Sequence, residues 1–302
     1  MDFSLNDDQS MIVSELEKLV APFQAKPIEA EGFVLDGPAI EQALEASQYF
    51  EIAIIPEMGP VAAALAVERL AKLPYASEVA LSMLVRPHLD IALPRPFAVI
   101  ENGRPGRFAN RAKTLIIIDG DSVGIAHPAT GDVVEVEGIY AYPMGKLVGS
   151  PEVKLLSAEV ADTVRTWLRV ACAVEMSGLM QAAIDSTVEH LSVRKQFGRP
   201  LGTFQALRHR MAECAVLSGG LQRLAIKAAW SGDAGDAAVA AFHAQDSATR
   251  VCYDLHQMMG AMGMTLEMDL HLWTYRMKAL LSELGGRGGQ AAAVAKSCFG
   301  VA

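Results

Sequence analysis

Cysteine is scarce in this sequence and never paired. Cys172, Cys214, Cys252 and Cys298 lie far apart in apolar helical surroundings and form no Cys-x-x-Cys pair, which excludes a disulfide framework and a thiolate zinc site. Free, buried thiols in a reducing cytoplasm are the expected state. No uninterrupted run of about 18 apolar residues occurs, so no membrane-spanning helix is expected. Met1-Asp2-Phe3 lacks a basic region and a small-residue cleavage site, so no signal peptide is expected. Positive charge is in deficit, with a net charge of −9 and a pI near 5.3. That balance argues against nucleic acid and anionic membranes as partners, although a few local arginines suffice to grip a phosphate ligand. The seven histidines show no metal-ligand spacing, so no metal is expected. Ser177-Gly178 is not a nucleophile elbow, which needs Gly-x-Ser-x-Gly after a strand. Aromatic residues make up only 6% of the chain while alanine and methionine are plentiful, a composition that suits closely packed helices. With 302 residues, 51% of them hydrophobic, a large core is available for one to three structural units.

The periodicity organises these units. Asn6, Asp7, Asp8 and Gln9 form a helix start in which Asn6 caps and Gln9 completes a capping box. Ile12, Leu16, Leu19, Val20 and Phe23 then follow one face, with Pro22 and Pro27 ending the helix. Further helical patterns cover roughly Ala39 to Ala46 and Pro60 to Leu73. From Phe97 to Tyr142 short apolar runs alternate with the turn signals Asn102-Gly103, Asp119-Gly120 and Thr130-Gly131, which predicts a small antiparallel β unit of about five or six strands. Four long amphipathic helices follow, at Ala158 to Val193, Thr203 to Trp230, Gly235 to Gly260 and Met268 to Leu284. A glycine-rich break at Gly285-Gly289 precedes a short last helix. Short links between long helices predict an antiparallel four-helix bundle. The expected architecture is mainly α with a small β unit: an N-terminal helical region (1–93), a reduced β domain (94–150) and a C-terminal helical bundle (151–302).

The chemistry concentrates in one turn. Arg194-Lys195-Gln196-Phe197-Gly198-Arg199-Pro200 followed by Leu201-Gly202-Thr203-Phe204-Gln205-Ala206 places cations, amides, two aromatic rings and chain-bending residues together. Arginine suits a pyrophosphate, rings suit packing, and Gly and Pro fix the path. On position alone, Arg194 would serve equally well as a surface cation capping the negative end of a helix. The run resembles the R-x-Q-F-G-x-x-[IL]-x-x-F-Q turn of the acyl-CoA dehydrogenase family at every specified position. Gln257-Met258-Met259-Gly260-Ala261-Met262-Gly263-Met264-Thr265-Leu266-Glu267 resembles that family's Q-x-x-G-G-x-G-x-T-x-E segment, with Ala261 in place of the second glycine. The resemblance covers roughly residues 155 to 285 well, the first 25 moderately, and residues 50 to 150 poorly.

The resemblance implies an acyl-CoA dehydrogenase-like fold with a truncated β domain. It also implies that Arg194, Gln196, Phe197, Phe204, Gln205, Gln257, Gly260 and Ala261 form an ADP-binding half-site donated to the FAD of a partner subunit. The flavin-ring half of the family pattern, a Y-x-x-T-E signature with a later G-S or W-x-x-S element, is absent. Ile55-Pro56-Glu57-Met58-Gly59-Pro60 is only a remnant of the loop that precedes the middle domain. The family's catalytic Glu positions align with Leu168 and Leu284. Glu283 stands one residue away, a rotation of about 100° on a helix, and is read as a structural acid, with a base role as the alternative. Glu175 and Glu267 are read as structural. Arg169 could pair with one of them or approach substrate.

These expectations describe a subunit of a heteromeric acyl-CoA dehydrogenase, probing a bulky substrate such as a steroid side-chain CoA ester. The partner would be a full-length paralogue, in an α2β2 assembly. It would hold the flavin ring and the base, and an electron-transfer flavoprotein would accept the electrons. Two alternatives stay open: a complete homo-oligomeric dehydrogenase with a diverged middle domain, and a non-enzymatic structural homologue.

Overall fold

The structure, a computed structural model, describes residues 4–26 and 33–300; Met1–Phe3 and Pro27 lie outside the described residues. The first helix, α1 (Asp7–Val20), starts where the sequence places it. The Asn6 side chain accepts from the Gln9 N–H, and the Gln9 side chain accepts from the Asn6 N–H. Leu16 and Val20 point into the core, and a 3₁₀ turn containing Pro22 ends the element. Helices α2 (Pro38–Ala46), α3 (Gly59–Ala71) and α4 (Ala80–Leu84) follow. The last is too short for a helical period to show in the sequence.

The β region holds seven short strands in two sheets, five of them between Phe97 and Tyr142 as the sequence predicts; the expectation that all are antiparallel is corrected by one parallel pair. They are β1 (Phe97–Glu101), β2 (Gly106–Arg107), β3 (Thr114–Asp119), β4 (Ser122–Ala126), β5 (Val133–Glu135), β6 (Met144–Leu147) and β7 (Val153–Leu155). The larger sheet has the order β1-β3-β4-β7, and β1 pairs with β3 in parallel, Phe97 opposite Thr114. The chain between them detours through β2 into the second sheet, β2-β6-β5, and a detour of this length permits a parallel return. Side chains alternate along β3. Leu115 packs toward the second sheet with Ala98, Ile100 and Ala126, while Ile116 and Ile118 join the main helical core.

The bundle comprises α5 (Ala158–Val193), α6 (Gln205–Ser231), α7 (Ala234–Met259) and α8 (Leu270–Leu280), with a hairpin of β8 (Lys195–Gln196) and β9 (Arg199–Pro200) between the first two. A final helix, α9 (Gly286–Phe299), takes up most of the glycine run that the sequence suggested would only break the chain. Helix α5 is the centre. Residues 170–180 are buried without interruption, the mark of a helix covered on all sides. Alanines on α7 (Ala237, Ala240, Ala241, Ala244 and Ala248) are fully buried and let the helices approach closely. The N-terminal units are fastened to this bundle by polar contacts. His88 stacks on Trp167 at 4.0 Å, and Arg276 of α8 donates to the carbonyls of Leu73 and Tyr75. Of the four thiols, Cys172, Cys214 and Cys252 are buried, whereas Cys298 is exposed because it lies near the end of α9.

Gly178 marks the tightest crossing. A Cβ there would collide with the Glu68 carbonyl oxygen of α3 and stand 2.8 Å from the Ala71 Cβ. Gly219, in the interior of α6, would meet only the mobile end of Arg223, at 3.3 Å. The same substitution should therefore have opposite effects at the two sites. Gly219→Ala should stabilise by up to about 1 kcal/mol through helix propensity. Gly178→Ala should destabilise, because overpacking costs about 1–3 kcal/mol and outweighs that gain. Thermal unfolding of both variants decides the matter; equal shifts would show that the α3–α5 crossing can relax.

Candidate functional site

Two distinct regions carry chemistry. The first is one end of the bundle. After α5 the Arg194 N–H still donates to the His190 carbonyl, closing the helix. Lys195 and Gln196 then pair with Pro200 and Arg199. The central residues, Phe197 (φ 51°) and Gly198 (φ 80°), both have positive φ, as in a type I′ hairpin turn. Gly198 adopts this freely, but Phe197 pays about 1–2 kcal/mol for it. The strained residue displays its ring: Phe197 is 86% exposed and meets Phe204 edge-on at 5.9 Å. The Arg199 guanidinium lies over the other ring, 4.2 Å from the Phe204 centroid. Arg194, Gln196 and Gln205 are exposed, and Arg194 takes part in no ion pair among the described residues. A strained backbone that presents an aromatic ring and free cations has the features of a ligand-facing element.

The second sequence block, Gln257, Gly260 and Ala261, is also exposed, at the end of α7. Gly260 (φ 62°, ψ −144°) begins a 3₁₀ turn. His256 ties that turn down through Gly263 O (2.8 Å) and Thr274 Oγ1 (2.9 Å). Arg210, near the start of α6, pairs with Asp254, near the end of α7, at 3.5 Å. The two helices therefore run antiparallel, and both blocks emerge at the same end of the bundle.

The second region is a cavity of about 110 Å³ between α5, β1–β2, the start of α4 and the α8–α9 junction. Ligand pockets are commonly about 300–1,000 Å³, so this one is small. Leu168 and Leu284 both line it, so neither presents a carboxylate. The Leu284 turn is nonetheless tightly built. Its backbone is left-handed (φ 54°, ψ 41°), its N–H donates to Glu101 Oε2 at 2.9 Å, and its carbonyl accepts from Gln290 at 3.1 Å. Gln290, fully buried, also accepts from Arg169 Nε at 2.9 Å. Arg169 thus pairs with neither Glu175 nor Glu267 and does not line the cavity.

What fills the cavity wall is Arg107 of β2, which the sequence did not single out. Its Nη1 donates to both Glu175 oxygens at 3.0 and 3.1 Å, and its Nε and Nη2 donate to Glu283 at 2.6 and 3.3 Å. The Tyr142 hydroxyl donates to Glu175 at 2.6 Å, and the guanidinium lies 4.5 Å from the Tyr142 ring centroid. Burial pushes the Glu283 carboxyl above its ordinary value, and the neighbouring Arg107 pulls it back. Burial opposes the charge on Arg107, but Glu175 and Glu283 hold it firmly protonated. Burial and the adjacent Glu175 raise the Tyr142 phenol, and burial raises the Cys172 thiol beside them. Glu175 and Glu283 are thus ion-pair partners; of the other two carboxylates at the cavity, Glu101 accepts from the Leu284 N–H, and Glu78 accepts from the Ser82 hydroxyl and the Phe97 N–H. The local sequence gives no sign of this cluster, since Arg107 meets partners 68 and 176 positions away. Among the described residues no group of His, Cys, Asp and Glu could hold a metal ion. No helix there is long and apolar enough to cross a membrane.

Residues 158–298 match the family model described as "Acyl-CoA dehydrogenase, C-terminal domain". Over those residues the chain carries the C-terminal domain of the acyl-CoA dehydrogenase family. It is 28% identical over 186 residues to acyl-CoA dehydrogenase FadE34 of Mycobacterium tuberculosis, a match covering 58% of this chain and 26% of that protein. The Tcur3481-Tcur3483 steroid ACAD has the same fold, with a TM-score of 0.78 at 16% identity over 98% of both chains. So has a chain of the ChsE4-ChsE5 complex from Mycobacterium tuberculosis, with a TM-score of 0.76 at 18% identity over 100% of both. The chain spans between about a quarter and about a half of the length of the curated relatives it matches.

The Tyr142–Glu175 contact supplies a test of the cluster. Hydrogen bonds to charged groups contribute about 1.5–3 kcal/mol, so Tyr142→Phe should destabilise the chain by roughly that amount. The urea midpoint reads it. An unchanged midpoint would mean that Arg107 alone satisfies Glu175.

Proposed function

We propose that this chain is the supporting subunit of a heteromeric FAD-dependent acyl-CoA dehydrogenase. The observation that carries the reading is an asymmetry. The bundle end presents Arg194, Gln196, Phe197, Gln205 and the half-buried Phe204, with Gln257, Gly260 and Ala261 at the same end, while the chain's own cavity is small and walled by the clamped Arg107 guanidinium. The first set fits the ADP half of FAD. Arg194 has no competing anion among the described residues, and a planar guanidinium suits a pyrophosphate. The second does not fit an isoalloxazine ring, since the cavity is too small and Arg107, Glu175 and Glu283 are committed to one another. No step of the chemistry is therefore assigned to this chain's cavity.

In this reading the partner is a full-length paralogue in an α2β2 assembly. It holds the flavin ring, which accepts a hydride from an acyl-CoA β-carbon, and it supplies the base. The substrate is a bulky acyl-CoA such as a steroid side-chain ester. The steroid ACAD among the structural neighbours supports that class, and the ChsE4-ChsE5 complex supports a two-chain assembly. An electron-transfer flavoprotein is the assigned acceptor.

The chain expressed alone should bind little or no FAD, and the complex with its partner should carry one FAD per heterodimer. Flavin absorbance against protein concentration measures both; one FAD per isolated chain would overturn the proposal in favour of a complete homo-oligomeric enzyme. Within the complex, Arg194→Ala removes a charge-assisted contact of about 1.5–3 kcal/mol, or roughly 10- to 150-fold in FAD affinity. Assembly should persist, since the exposed Arg194 carries no bundle packing. Arg194→Lys should recover only part of the loss. Unchanged flavin content in Arg194→Ala would remove Arg194 from the cofactor site.

A further inference from the structure

The groups around Arg107 are arranged as a receptor for a guanidinium. Two carboxylates grip it from separate helical elements, Glu175 on α5 and Glu283 in the 3₁₀ turn after α8. Four of its donor–acceptor contacts lie between 2.6 and 3.3 Å. An aromatic ring, Tyr142, lies against its face, and the hydroxyl of that ring fixes Glu175 in place. Phe108 packs edge-on to Tyr142 at 5.4 Å and closes the side. Paired carboxylates with a ring beneath match the planar fork and flat face of guanidinium chemistry. Yet the element that delivers the cation is slight. Strand β2 has two residues, paired only with Gly145 and Met144 of β6. The receptor is built by the bundle and Tyr142, and the occupant is brought in by a minor strand.

We propose that Glu175, Glu283 and Tyr142 form a guanidinium-binding site whose resident ligand is the chain's own Arg107, an internal occupant that keeps the cavity closed. Calling the closed space a former acyl pocket rests on the supporting-subunit reading; the binding site itself does not. With the Arg107 side chain deleted, the two carboxylates lose the one cation that touches both, and the nearby buried Arg276 has its donors committed to backbone carbonyls, a costly state in a buried site. A free guanidinium of the right size should then take the vacated place.

The test uses the full chain with Arg107→Ala and methylguanidinium chloride as the probe, with sodium chloride at equal ionic strength as the control. The variant should melt roughly 5–10 °C below wild type. Millimolar methylguanidinium should restore most of that loss, and titration calorimetry should show one site on the variant and none on wild type. If the variant does not stay folded unaided, the yield of folded protein with and without methylguanidinium replaces the melting temperature, and a higher yield with the probe supports the site. Equal yields, a folded variant that binds no methylguanidinium, or a wild type that binds it as tightly would each overturn the proposal. All of these measurements are made on the chain alone. The flavin count is made on the complex, so either idea can fail while the other stands.

Discussion

The unbroken burial of residues 170–180 in α5 is the constraint on which the rest of the structure depends. A helix covered on every side requires neighbours all round it, and it has them in α3, α4, α6, α7 and α8. The crossing with α3 is close enough to demand glycine at 178. Because α5 cannot rotate or slide, everything attached to it is placed rigidly. Leu168 and Cys172 are held at the cavity wall, Glu175 beneath Arg107, and the Phe197 hairpin beyond the far end. One helix thus serves both chemical regions, and the distance between them is fixed by its length.

The two regions spend their charge differently. At the cavity wall Arg107, Glu175 and Glu283 satisfy one another, which ties up their charge within the chain. At the bundle end, cations and a strained aromatic residue are left facing outward. The strain at Phe197 and the open coordination of Arg194 are costs to the isolated chain that a second molecule at that surface would relieve. The strain at Leu284 has a different support. Glu101 and Gln290 hold its amide and carbonyl from opposite sides, so the turn keeps its left-handed shape without any outside partner.

How much of this was legible in the sequence follows from how local each feature is. The start of α1 could be read because Asn6 and Gln9 are three residues apart and bond each other. The bounds of α5 could be read because Ser157 caps it and the apolar pattern runs without a break. The Arg194–Gln205 run could be read as a shaped turn because the residues that bend it are its own. The parallel pairing of β1 with β3 could not, because it depends on where the intervening chain goes and not on either strand. The Arg107 cluster was invisible for the same reason. Glu283 is read as a structural acid from the geometry of a continuous helix, whereas what holds it in the structure is a guanidinium from a distant strand. The glycine run at 286–289 misled in the other direction, since its low propensity was overridden by a buried Gln290 that anchors α9.

The Arg107 clamp also sets the order in which this chain could change over generations. A glutamate introduced at Leu168 or Leu284 alone would enter a small cavity walled by a guanidinium, and it would be drawn in as a further anionic partner. Loss of Arg107 alone would leave two carboxylates opposed and the fold weakened. Neither first step gives an advantage, and each becomes useful only after the other. In the supporting-subunit reading proposed above, such a chain sits behind a mutational barrier, and that barrier would keep a division of labour between paired chains from eroding by single substitutions.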